Sequence, residues 1–85
     1  MTLDLSTISV DVDSIRAIRW NIDESGIKCD DRKIETRVYW RRTYIYFKNI
    51  SDCLTLDDCN AAGEANPDYE TDVEKLKQAW EQRSV

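Results

Sequence analysis

The stretch that decides the fold is residues 38–47, which read VYWRRTYIYF. Aromatic and β-branched residues surround two adjacent arginines, and both of those residue classes favour β-strands. A similar composition extends over residues 34–48, which makes this the strongest β segment of the chain. The fold therefore depends on how two arginines are accommodated in the middle of it.

Side-chain alternation creates a conflict within this segment. In one straight strand, Val38 and Trp40 would lie on one face, whereas Ile45 and Phe47 would point to the other. A core on a single face of the sheet therefore predicts that the side-chain orientation switches near residues 41–43. The arginines and tyrosines would then stay in contact with solvent on both sides of the switch.

Two arrangements produce such a switch, and the sequence leaves both open. A hairpin centred on residues 41–42 would place Val38 opposite Ile45 and Tyr39 opposite Tyr44 in a self-consistent register. A β-bulge in one continuous, bent strand would also change the orientation, without the Asn-Gly or Asp-Gly pair that two-residue hairpin loops prefer. In either arrangement the two arginines lie at an exposed corner beside a face rich in tyrosine.

The other β segments are shorter and are separated by polar turns. Two turns are predicted, one at DESG over residues 23–26, where Gly26 can adopt a positive φ, and one at CDDRK over residues 29–33. With the segment described above, alternation predicts antiparallel strands over about residues 15–23, 33–40, 43–50 and, as a candidate fourth strand, 8–12.

Two helices are predicted after the sheet. A short helix spans residues 56–62, and a longer one spans residues 67–82, where Asn66 acts as N-cap and Pro67 takes the first helical position. One apolar stripe follows the longer helix at helical spacing and comprises Tyr69, Val73, Leu76 and Trp80. The chain is thus predicted to form a single α+β domain over residues 1–85, with both helices packed on one face of an antiparallel sheet.

Charge is distributed unevenly along the 85 residues. The chain has 12 basic and 17 acidic residues and a net charge of −5. Residues 33–50 carry a net charge of +4, from five basic residues against Glu35, whereas residues 1–32 carry −3 and residues 51–85 carry −6. The β-rich middle is therefore a basic island between acidic flanks, which suits contact with a macromolecule.

Most catalytic and cofactor chemistry is unsupported by the composition. The chain has no histidine, and its three cysteines, an odd number, fit a reducing compartment better than a disulfide framework. We therefore expect no enzyme activity, no catalytic residues, no metal site and no cofactor. No apolar run approaches the ~20 residues of a membrane span, and the N-terminus is acidic, so we expect a cytoplasmic protein outside the membrane.

The basic island supplies the candidate contact residues. Tyr, Trp and Arg are enriched in the residues that dominate binding energy at protein interfaces. A non-catalytic protein-binding module is therefore the first hypothesis, and a small acidic inhibitor or regulator is its most specific form, by analogy with chains of this class, some of them encoded by phages. The contact candidates are Arg37, Tyr39, Trp40, Arg41, Arg42, Tyr44 and Tyr46.

Two alternative functions stay open at this stage. The same residues could bind single-stranded RNA or DNA, since aromatic rings and positive charge are what such binders use. The net negative charge counts against that alternative unless the acidic residues lie on the far side of the molecule. A structural subunit of a symmetric assembly, such as a homodimer, is the other alternative, and it would use the sheet edge or the helix stripe.

Overall fold

A long β-hairpin organises the structure, a computed structural model that describes residues 1–59 and 63–83. The predicted α+β class is confirmed. A three-stranded antiparallel sheet has the order β3-β4-β5, and a separate two-stranded sheet joins β1 to β2. The elements in chain order are β1 (Thr2–Asp4), β2 (Ser9–Asp11), β3 (Ile15–Cys29), β4 (Glu35–Phe47), β5 (Cys53–Asp57) and α1 (Tyr69–Gln82).

The β-rich segment is one continuous strand, so the hairpin at residues 41–42, one of the two arrangements that the sequence left open, is wrong. Strand β4 runs through both arginines, so the predicted strands 33–40 and 43–50 are one element that ends at Phe47. The chain reverses instead over residues 30–34, at the predicted CDDRK turn. There the Asp30 carboxylate accepts hydrogen bonds from the backbone N–H groups of Arg32 and Ile34, at 2.9 Å each, and thereby closes the turn.

The predicted turn at residues 23–26 is also wrong, because these residues lie inside β3. Gly26 stands opposite Val38 in β4, and the Trp40 side chain packs against its backbone. A Cβ atom at this position would come within 3.1 Å of the Trp40 ring. The glycine therefore provides room for an aromatic ring across the strands, and it does not form a turn.

The orientation of side chains does not switch within β4, which corrects the central expectation. The irregularities lie in β3: one extra residue falls between Ile15 and Ala17, and the pair Trp20–Asn21 stands opposite Thr43 alone. Asn21 has a φ of 47°, a left-handed conformation that asparagine tolerates better than most residues. The bulge therefore forms where an asparagine is present, and β4 keeps strict alternation.

A closed set of hydrogen bonds holds this bulge against the helix. The Asn21 backbone N–H donates to Thr43 Oγ1 (3.2 Å), and Thr43 Oγ1 lies 2.9 Å from the Tyr69 hydroxyl. The Tyr69 hydroxyl in turn donates to Asn21 Oδ1 (2.9 Å). Thr43 and Tyr69 are both buried, so these bonds satisfy polar groups that would otherwise be unpaired in the core.

The core lies between the sheet and α1. On β4, Thr43 and Ile45 are buried beneath the helix, and the predicted helical stripe is confirmed, with three members buried and Trp80 partly buried against the same cluster. The N-terminal hairpin closes one side of this core. The buried apolar cluster comprises Leu5, Val10, Ile15, Ile45, Leu56, Tyr69, Val73 and Leu76.

The predicted helices are only partly present. The predicted helix over residues 56–62 is wrong at its start, because Leu56 and Asp57 belong to β5. Leu56 is buried in the core. Residues 60–62 of this predicted helix lie outside the described residues. The C-terminal helix begins at Tyr69, two residues later than predicted. The Asn66 side chain accepts from the backbone N–H of Asp68 (3.1 Å), which forms a turn before the helix.

Beyond the core, β3 and β4 continue as a two-stranded projection. Strand β5 pairs with β4 only from Arg42 to Tyr46, so no third strand among the described residues lies beside residues 22–42 over most of their length. We call residues 22–42 the arm. It gives the molecule principal extents of 53 × 26 × 19 Å. In the part of the chain that the structure describes, no helix has the length and apolar character that crossing a bilayer requires.

The hydrogen bonds around Tyr69 predict a sensitivity to alkaline pH. Burial raises the pKa of the Tyr69 phenol above the ordinary tyrosine value of about 10. The folded state therefore binds the phenolic proton more tightly than the unfolded state, so the contribution of Tyr69 to stability should be constant below about pH 10 and fall at higher pH. Denaturant unfolding measured between pH 7 and about pH 11 checks this window.

Tyr69→Phe and Tyr39→Phe form a matched pair for this prediction. Tyr69→Phe should cost about 1–2 kcal/mol at neutral pH, because the hydroxyl hydrogen bonds are lost inside the core, and it should flatten the alkaline decline. Tyr39→Phe, on an exposed side chain, should change neither quantity. An unaltered alkaline decline in Tyr69→Phe would show that another group causes it.

Candidate functional site

Strict alternation in β4 divides the seven predicted contact residues between two faces. Trp40, Arg42, Tyr44 and Tyr46 lie on the face opposite α1, which we call the outer face. Arg37, Tyr39 and Arg41 alternate with them and lie on the side of the arm that continues the helix-covered face. The structure therefore does not bring the predicted residues together as one patch.

On the outer face, guanidinium groups lie over aromatic rings in a row. Arg16 lies 5.8 Å from the centroid of the Tyr46 ring, and Arg19 lies 5.7 Å from that of Tyr44. The Tyr44 and Tyr46 rings are themselves stacked, with centroids 6.3 Å apart. Arg42 completes the row, at 5.5 Å from the Trp40 ring centroid and 5.8 Å from that of Tyr44.

Two carboxylates complete the outer face. Asp57 on β5 accepts a hydrogen bond from Arg42 Nε at 2.5 Å, and this ion pair raises the pKa of the arginine further above its ordinary value. Glu24 on β3 accepts a hydrogen bond from the Tyr44 hydroxyl, and this bond raises the pKa of that phenol. The charges and ring faces of the outer face are therefore largely satisfied within the molecule.

The opposite side of the arm exposes apolar and basic side chains together. Tyr39 is 73% exposed and Ile27 is 60% exposed, and they are diagonal neighbours because Tyr39 pairs with Ser25 and Ile27 with Arg37. We call Ile27, Arg37, Tyr39 and Arg41 the arm face. Arg37 makes one long hydrogen bond, from Nη1 to Ser25 Oγ at 3.4 Å.

A cleft of about 420 Å³ adjoins the arm face where the arm meets the start of α1. Arg41 lines it from the arm, and the buried Tyr69 lines it from the helix. Three further lining residues, Asp58, Glu70 and Glu74, carry carboxylates, so negative charge predominates around the single arginine. The arm face and the cleft form one continuous surface, because Arg41 belongs to both.

Sequence reasoning missed several members of both surfaces. Arg16 and Arg19 reach the outer face only because β3 contains bulges, which the sequence signals weakly through the single residue Asn21. Ile27 was missed because the sequence predicted a turn at residues 23–26. A residue that follows such a turn would not be expected to pair with Arg37. The sequence did not indicate that Asp58, Glu70 and Glu74 come together around Arg41, because they belong to separate segments of the chain.

The thiols and carboxylates are the remaining candidates for reactive or metal-binding chemistry. Cys29 and Cys53 are exposed free thiols, and Cys59 is a half-buried free thiol whose pKa is raised, mainly by burial. A raised pKa keeps this thiol protonated at neutral pH, which lowers its nucleophilicity. Across residues 1–59 and 63–83, no group of three or more cysteine and carboxylate side chains is placed to hold a metal ion.

Comparisons with protein-family models, with curated proteins and with solved structures find no match for the chain. The choice of functional surface therefore depends on geometry and exposure alone. The outer face offers aromatic rings that arginines already cover, whereas the arm face offers exposed side chains beside an acidic cleft.

Proposed function

We propose that the chain is a non-catalytic protein-binding module and that the arm face, with its adjoining cleft, is the contact surface. The observation that carries the proposal is the exposure of Tyr39, which lies between Arg37 and Arg41 on β4, with the exposed Ile27 diagonal to it. Tyrosine and arginine are the side chains that contribute most at protein interfaces, and an exposed isoleucine adds apolar area to bury.

The cleft indicates the charge of the partner. A basic side chain of the partner would meet Glu70, Glu74 and Asp58, while an apolar neighbour would contact Tyr39 and Ile27. The net charge of −5 would also accelerate the encounter with a basic protein. An inhibitor or regulator of a basic partner, acting in a reducing compartment such as the cytoplasm, is the specific form of the proposal that suits these features.

Single-stranded nucleic acid is the second candidate, and the outer face is the surface that favours it. Three aromatic rings and three guanidiniums lie there on the side of the sheet opposite the acidic helix. A base would, however, have to displace arginines from ring faces, and a phosphate would approach Glu24 and Asp57. These two costs place protein binding first.

Two matched double variants distinguish binding through the arm face from binding through the outer face. Tyr39→Ala with Arg41→Ala removes one tyrosine and one arginine from the arm face, whereas Tyr46→Ala with Arg16→Ala removes the same residue types from the outer face. In capture from an extract of the producing cells, quantified by mass spectrometry, the arm-face pair should lower recovery of the partner by tenfold or more. The outer-face pair should leave recovery within about twofold.

The same variants test the second candidate. A labelled single-stranded oligonucleotide is titrated with each protein at several salt concentrations, and its fluorescence anisotropy reports binding. Salt-dependent binding that only the outer-face pair abolishes would replace the protein-binding proposal with the nucleic-acid one. Thermal unfolding of both variants serves as the control for folding.

A further inference from the structure

One side of the arm is open to solvent. On the side that carries the arm face, four residue pairs, which we call the open stretch, follow one another between the tip and α1: Cys29–Glu35, Ile27–Arg37, Ser25–Tyr39 and Asp23–Arg41. All eight side chains are exposed, whereas Thr43, the next residue of β4 on this side, is buried beneath the start of α1. A two-stranded ribbon without a second layer is only marginally stable in water, so a cover would stabilise the open stretch.

The charges of the open stretch suit a second copy of the chain. Asp23 and Glu35 balance Arg37 and Arg41, so this surface carries no net charge on a chain of net charge −5. Two copies can therefore approach each other here with less repulsion than elsewhere. Within residues 1–59 and 63–83, no hydrogen bond or ion pair engages the side chain of Glu35 or Arg41, so both charges are available to a second copy.

The helix limits how two open stretches can stack. Face to face, the two ribbons would lie about 10 Å apart, with β4 antiparallel to β4 of the second copy across a two-fold axis between them. Above Thr43 this layer is already filled by α1. The stretches overlap completely when the axis passes Val38, midway between Arg37 and Tyr39, and the tip of each copy then reaches the start of the other copy's α1. An axis nearer the core would drive the tip into the helix.

Charge selects the same position of the axis. With the axis at Val38, Arg41 faces Glu35 of the second copy at two symmetric places, and Arg37 faces the ring of Tyr39. Moving the axis to Tyr39 would oppose Arg37 and Arg41, and moving it to Arg37 would oppose that arginine with its own copy. Of the three positions, only the one at Val38 opposes no like charges.

We propose that the chain forms a symmetric homodimer by stacking the open stretches in this register, and that the homodimer competes with the partner for the arm face. The inference rests on the proposed function, since competition requires that the partner bind the arm face. The open stretch is only about 20 Å long and two strands wide, so the interface is small and association should be weak and concentration-dependent. Self-association would thus lower the fraction of chains with a free arm face as their concentration rises.

Charge reversal on each side of the contact tests the register. Glu35→Arg and Arg41→Glu should each weaken the homodimer by about tenfold or more, because each variant opposes like charges at two places. An equimolar mixture of the two variants should form a heterodimer about as tight as the wild-type dimer, since both contacts become complementary again. Light scattering against concentration, on a chain of 10.0 kDa, measures the mass directly.

Asp52→Arg and Lys48→Glu serve as controls, because they make the same charge changes at exposed positions beyond the other end of β4. They should leave the dimer within about twofold of the wild type. A wild-type chain that stays monomeric up to about 1 mM would overturn the proposal. So would a dimer that the reversals and the controls affect equally, or a mixture that fails to form the heterodimer.

Partner capture with Glu35→Arg tests the competition, since this variant keeps all four residues of the arm face. Capture from the cell extract is compared at chain concentrations below and above the dissociation constant of the homodimer. Recovery of the partner per chain should fall above that concentration for the wild type and stay constant for Glu35→Arg; equal recovery throughout would refute the competition. A monomeric chain that captures a partner would refute this inference alone, whereas a homodimer without any captured partner would count against the proposed function.

Discussion

Replacing Ile45 with alanine should lower the free energy of unfolding by about 3–4 kcal/mol. Ile45 is fully buried on the central strand and belongs to the cluster that joins the sheet to α1. Its removal would leave a cavity between rigid elements that cannot fully collapse. A domain of this size has on the order of 5–10 kcal/mol of stability, so the variant should lose a large share of it. Urea unfolding followed by circular dichroism measures the change.

Ile27→Ala is the matched control for this prediction. It removes the same atoms from an exposed position on the arm, and it should cost less than about 0.5 kcal/mol. Equal losses in the two variants would contradict the assignment of the core to the helix-covered half of the sheet.

Asp72→Ala should cost about 2–3 kcal/mol, the second largest effect that the structure predicts. Asp72 is a buried carboxylate on α1, and it accepts hydrogen bonds from the Ser6 backbone N–H (3.0 Å) and from Ser6 Oγ (2.6 Å). These bonds join the turn of the N-terminal hairpin to the helix. Without them the hairpin would still be held by apolar packing, of Leu5 and Val10 in the core and of Leu3 and Ile8 beside it.

Hydrogen exchange distinguishes local from global effects in this variant. The Leu5 amide, which donates to the Ile8 carbonyl at 2.8 Å, should lose protection in Asp72→Ala, while the Ile45 amide on β4 should lose only what the global destabilisation accounts for. Glu74→Ala, on the exposed side of the same helix, is the control and should change stability by less than about 0.5 kcal/mol. A loss in Asp72→Ala no larger than this control would mean that Ser6 contributes little.

Local patterns predicted the elements better than their connections. The helical stripe from Tyr69 to Trp80 and the β character of residues 34–48 follow from periodicity and residue type, which the structure confirms. Of the predicted chain reversals, the turn at residues 29–33 is confirmed, and those at residues 23–26 and 41–42 are wrong. Gly26 was interpreted as a turn residue, yet it makes room for Trp40, a contact between strands that no local pattern records.

The candidate site was predictable in its residue types but not in its arrangement. Tyr39 and Arg41 were identified from composition, and the structure leaves both exposed. Their separation from Tyr44 depends on β4 keeping its alternation, and that in turn depends on the bulge forming in β3. A bulge involves two strands at once, so its position follows from pairing energy that a single segment does not reveal.

The hydrogen bonds between Asn21, Thr43 and Tyr69 also decide how the arm responds to force. They lie where the arm leaves the core, and they clamp its base to the helix instead of leaving a hinge there. The base of the arm is therefore fixed to α1. A load applied at the tip near Asp30 would reach the core through these hydrogen bonds and through strands β3 and β4, which continue into it.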